Sequence, residues 1–122
     1  MTNIKLNIKG TNYSISDRTR ELIDNQVSKF KKFIPDQITE AIVDVEVGKT
    51  TNHHEHGKIY RAEFNIKYGN FYDRSESVQE DIGSAIELAG DELIRQIKKN
   101  QDRKQDLIRR GAAKIKKILR LR

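Results

Sequence analysis

Three histidines and a carboxylate stand together in the stretch TTNHHEHGK, where His53, His54 and His56 surround Glu55 in a chain with no other histidine. Imidazoles beside a carboxylate are the usual donors for zinc and neighbouring metals. Their spacing argues against a built site. HHEH lacks the i, i+4 histidine pair of helical zinc centres, and it falls in a connection of roughly ten polar residues between two strand-like segments. Adjacent donors on a solvated hairpin loop have no rigid element beneath them and nothing to orient their outer nitrogens. The stretch therefore reads as a loop, with no metal and no cofactor expected. With no cysteine there is neither a thiolate nucleophile nor a disulfide. The remaining carboxylates alternate along strand surfaces without a recognisable catalytic pair, so the sequence points away from an enzyme and from a small-molecule substrate.

The other chemistry on offer is positive charge. The 122 residues hold 24 Lys and Arg against 18 Asp and Glu, and eleven of those cations lie between residues 98 and 122, where Asp102 and Asp106 are the only acids. Arg95, Lys99 and Arg103 recur at i, i+4 and i+8 and so share one helical face, which Lys98 widens. A face meant only for solubility mixes signs, whereas this one has few acidic neighbours from residue 95 onward. Arg20 and the group Lys29, Lys31 and Lys32 project from the polar side of an earlier helical segment and could join the row. Such an array suits a polyanion. Tyr60, Tyr68, Phe71 and Tyr72 could stack on bases, but at strand spacing they read more readily as core.

Positioning these groups requires elements with one apolar face each. Ile4, Leu6 and Ile8 alternate with polar residues, as do Val43, Val45 and Val47, and then Tyr60, Ala62, Phe64, Ile66 and Tyr68. Gly69-Asn70 is a two-residue turn into a more polar strand, FYDRSES. Between the first two strands, Leu22, Ile23, Val27, Phe30 and Ile34 follow a helical period, with Ser16 as N-cap, Asp17 in the first turn and Pro35 as the stop. Ser77-Val78-Gln79-Glu80 has the form of a capping box and predicts a second helix from there, with a stripe of Val78, Ile82, Ala85, Ile86, Ala89, Leu93 and Ile97.

The order is β-α-β-β-β-α. It predicts an α+β fold, a four-stranded sheet carrying two helices on one face, with a right-handed crossover between the first two strands. The domain is expected over residues 1–104, followed by a basic C-terminal helical extension over 105–122, in which Gly111 makes a continuous helix possible without assuring it. That extension reads foremost as a second RNA contact, ahead of a membrane-surface or partner helix. No segment approaches the roughly 20 apolar residues of a membrane span, and the first residues have no secretory pattern, so a cytoplasmic protein without a membrane partner is expected.

Residues 3–104 resemble the ribosome hibernation promoting factors, also called the ribosome-associated inhibitor A or protein Y family, in their short form. The resemblance rests on EDIGSAI, on Asp91, Leu93, Arg95-Gln96-Ile97 and Lys99, on Arg74-Ser75-Glu76, and on Ile8, Gly10 and ISDRTRELI near the front. It implies a non-enzymatic, monomeric protein without a second dimerising domain. It also implies binding to the 16S rRNA of the small ribosomal subunit at the decoding region, where the protein excludes messenger and transfer RNA. The family's RNA-contacting positions fall here on Arg20, Lys29, Lys32, Arg74, Arg95, Lys99 and Arg103, with Lys98 beside them. Gln26 and Glu92 stand where many members are basic. The alternative is a general RNA-binding protein or chaperone without ribosome preference.

Overall fold

Local alternation and helical period assemble as the sequence predicts. A computed structural model describes residues 2–50 and 59–120. Its elements are β1 (Asn3–Thr11), α1 (Asp17–Phe33), β2 (Glu40–Lys49), β3 (Tyr60–Tyr68), β4 (Phe71–Gln79) and α2 (Ile82–Arg120). The sheet order is β1-β2-β3-β4. β1 pairs parallel to β2 across the α1 crossover, and the other two pairings are antiparallel. The turn between β3 and β4 is tight because Gly69 takes φ +55°, a conformation that glycine adopts without steric cost.

One sheet face is apolar and both helices lie on it. Val43, Val45, Val47, Ala62, Phe64 and Ile66 bury there against Ile23, Val27 and Phe30 of α1 and Ala85, Ile86, Ala89, Leu93 and Ile97 of α2. Phe30 and Phe64 meet edge to face with ring centroids 5.4 Å apart. On β4, the buried Ser75 hydroxyl donates to the Ala89 carbonyl at 2.6 Å and ties α2 to the sheet. The Thr19 backbone N–H donates to Ser16 Oγ at 3.1 Å, and Ile34 is extended ahead of Pro35, so α1 starts and stops where its residues predict.

One expectation changes. The capping box does not form: Ser77, Val78 and Gln79 pair with Ala62, Arg61 and Tyr60, which prolongs β4. Pairing along a whole strand satisfies more backbone groups than one reciprocal cap. Asp81 caps α2 instead, accepting from the Ser84 N–H at 2.7 Å and the Ser84 hydroxyl at 2.9 Å. Those bonds hold the Asp81 carboxyl below its ordinary pKa, the backbone bond contributing most. Of the two possibilities left open at Gly111 the continuous one holds: α2 runs unbroken through it for 39 residues, about 58 Å at 1.5 Å per residue. A helical propensity deficit of about 1 kcal/mol at one glycine is too small to break it.

Gly48 pairs with Thr11 at the end of β1, where the backbone of β1 fills the space that a side chain would need. A Cβ there would lie 2.0 Å from the Thr11 carbonyl oxygen and 2.9 Å from its carbon, both backbone atoms. Gly48→Ala must push the end of β1 aside, and the expected loss is about 1–3 kcal/mol of unfolding free energy in a urea titration.

Candidate nucleic-acid interface

α2 carries its charge on the side opposite its core stripe. Arg95, Lys99 and Arg103 are exposed in one row, and because the helix is continuous the row proceeds through Arg110, Lys114 and Lys117, broken only by Asp106. From Arg95 to Lys117 this is about 33 Å of one rigid rod. The last three belong to the extension that the sequence reads as a second RNA contact; what stays open at Gly111 is whether they share one helix with Arg95, and the unbroken i+3/i+4 phase of their charges was the available signal.

The head of the row is engaged. The Arg95 guanidinium donates to both oxygens of Glu92, at 2.6 and 3.0 Å. This pair lowers the pKa of Glu92 and raises that of Arg95, chiefly through those hydrogen bonds. Lys99 and Arg103 make no ion pair among the described residues. Lys98 leans the other way, its ammonium 4.4 Å from the centre of the Phe33 ring on α1.

α1 turns the line Leu22, Gln26, Lys29 and Phe33 toward α2. Gln26 is buried against Gly90, where a Cβ would come within 2.4 Å of Gln26 Oε1, so this glycine allows the two helices their close contact. Gln26 is therefore part of the helix packing rather than of the outer surface. Lys29, on that line, and Lys32, three residues further and on the outer side of α1, are exposed. Arg20 precedes Lys29 by nine residues, two and a half turns, which puts it on the flank of α1 turned away from α2.

Arg74 lies on the opposite side of the sheet. Strand register aligns Glu46, Glu63 and Glu76 across three neighbouring strands, where like charges repel. Arg61 sits among them, bonding Glu63 at 2.5 Å and Glu76 at 3.0 Å, with Glu46 at 3.7 Å. Arg74 adds contacts to Glu63 at 3.6 Å and Glu76 at 3.4 Å. The hydrogen bond from Arg61 is the main reason that the Glu76 pKa is lowered and that of Arg61 raised. Carboxylates that look scattered in the sequence thus form a row tied to two arginines. Of the aromatic residues, Tyr68 is buried, with its hydroxyl pKa raised by that burial. Tyr72 is 62% exposed on the polar sheet face and donates to Asn65 at 3.1 Å.

The structure thus places Lys29 and Lys32 on α1 and Arg95, Lys98, Lys99 and Arg103 on α2, all exposed on the helical layer, with Arg20 on the far flank of α1 and Arg74 on the opposite face of the sheet. His53, His54, Glu55 and His56 lie outside the described residues. Among the described residues no group of three or more histidine or acidic side chains is placed to hold a metal ion.

A comparison with family models matches residues 6–105 to the family described as Sigma 54 modulation protein / S30EA ribosomal protein. Among solved structures, the fold is similar to the N-terminal domain of Protein Y from Thermus thermophilus. That match has 24% identity and a TM-score of 0.65, covering 80% of this chain and 98% of that one. It is also similar to a ribosomal subunit interface protein from Coxiella burnetii, at 18% identity and a TM-score of 0.57, covering 80% of this chain and 97% of the other.

Proposed function

This chain belongs to the Sigma 54 modulation protein / S30EA ribosomal protein family, a family of ribosome-associated factors, and from that premise we propose that it is a ribosome hibernation factor. In this reading it binds the 16S rRNA of the small subunit at the decoding region and excludes messenger and transfer RNA by occupying their volume. The observation that carries the proposal is the cationic row on α2, with Lys29 and Lys32 exposed on the neighbouring helix α1. Fixed cations on rigid helices match a phosphate-lined cleft, and their binding releases counterions. Folded RNA is recognised largely through shape and phosphate position, which a preset array reads without sequence contacts. No bond is made or broken.

The test is sedimentation of the purified chain with small subunits, whole ribosomes and bulk RNA, with initiator transfer RNA binding measured at saturation. Preference for subunits and loss of transfer RNA binding are expected. Equal affinity for bulk RNA would instead support the general RNA-binding reading, and undisturbed transfer RNA occupancy would exclude the decoding region.

Glu92 sets a limit on this surface, since it holds Arg95 in a forked pair and places a negative charge inside the row. Glu92→Gln frees the guanidinium and is expected to raise affinity for small subunits about three- to tenfold at low salt, as one added phosphate contact would. An unchanged or weaker affinity in a fluorescence titration would count against Arg95 as a contact.

A further inference from the structure

Past Lys104, α2 leaves the body. Every residue from Asp102 to Arg120 is exposed. Yet this segment carries large apolar side chains: Leu107, Ile108, Ile115, Ile118 and Leu119 are 60–71% exposed. They are not scattered. Counting in steps of three and four from the buried Leu93 and Ile97, the line passes Gln101 and Lys104 and reaches Ile108, Gly111, Ile115 and Leu119, so the bare stripe lies in phase with the core stripe. The rest of the circumference holds Arg103, Arg109, Arg110, Lys114, Lys116, Lys117 and Arg120, against Asp102 and Asp106.

A contiguous apolar stripe of this size is more than the isolated exposed leucine that needs no explanation. Its occupant must offer an apolar surface bordered by negative charge. The body of the same molecule does not cover it, because the helix is continuous and every residue from Asp102 to Arg120 is exposed. A second copy would set two strongly cationic helices side by side. RNA would take up the cations but present its phosphates, leaving the stripe in water.

An anionic bilayer supplies both surfaces, with headgroup phosphates at the rim and hydrocarbon beneath. We infer that residues 105–120 of α2 form an interfacial helix that lies in the plane of an anionic membrane, with Leu107, Ile108, Ile115, Ile118 and Leu119 turned into the acyl boundary. Basic residues on the polar side, aliphatic residues on the other and a low overall hydrophobicity are the properties that distinguish such helices from spanning ones. No helix among the described residues is long and apolar enough to cross a membrane.

The test is flotation of the full chain with vesicles of mixed phosphatidylglycerol and phosphatidylcholine, alongside vesicles of phosphatidylcholine alone. The expected result is binding to the first and none to the second, with loss of about a hundredfold in the variant Ile108→Gln/Ile115→Gln/Leu119→Gln. Glutamine keeps helical propensity and leaves every charge in place. Because these side chains touch no part of the body, the variant should melt at the parent temperature and sediment with small subunits as the parent does. That second readout separates this inference from the ribosomal reading. Failure to bind anionic vesicles overturns it, as does undiminished binding by the triple variant, which would signal attachment by charge alone. So does loss of subunit binding in that variant, which would place the stripe on a ribosomal component.

Discussion

Lys99→Glu/Arg103→Glu weakens binding to purified small subunits by about a hundredfold at roughly 100 mM salt, while the melting temperature stays within a degree or two of the parent. Two reversals remove two phosphate contacts and add two repulsions, and each lost contact lowers the slope of log affinity against log salt by about one. The slope is therefore expected to fall by about two. Both side chains are exposed and neither is ion-paired among the described residues, so the fold has little to lose. Parent and variant titrated with labelled small subunits across a salt series give affinity and slope together. Equal co-sedimentation of the two would remove α2 from the interface.

The second large effect concerns the platform beneath that surface. Phe64 is fully buried on β3, in edge-to-face contact with Phe30, and it joins the sheet to α1 in the core. Phe64→Ala leaves a void that the surrounding β-branched strand residues cannot collapse into, and costs about 3–5 kcal/mol. Domains of this size have about 5–15 kcal/mol in all. The variant is thus expected to unfold at far lower urea or to be partly unfolded at 37 °C, and to lose subunit binding for that reason. A shift in urea midpoint worth less than about 1 kcal/mol would mean that the helix layer is looser than the packing indicates.

Much of the architecture could be read from local pattern, because strands and helices with one buried face carry a period of two or of three to four along the chain. The β3 bounds and the Ser16 cap are of this kind. What escaped was decided by partners distant in sequence. Ser77-Val78-Gln79-Glu80 satisfies the local rule for a helix start, but β3 claims three of those residues for pairing. The alignment of Glu46, Glu63 and Glu76 depends on register between strands, which no single segment encodes. Gln26 reads as a surface position until Gly90 is seen to receive it. For the cationic surface, helical spacing sufficed to group Arg95, Lys99 and Arg103, which share one element. It could not relate Arg20 or Arg74 to them, since that requires knowing which flank of α1 and which side of the sheet each occupies.

That α2 is one uninterrupted rod from the core to Arg120 has a geometric consequence. Each residue turns the helix by about 100°, so adding a single residue near Lys104 would swing everything beyond it by more than a quarter of a revolution without altering any residue of the outer half. The rotational setting of the outer half is thereby keyed to the inner half. Leu93 and Ile97, gripped by the sheet, determine the bearing on which Ile115 and Lys117 face the world, much as the hub of a propeller sets the pitch of its blade.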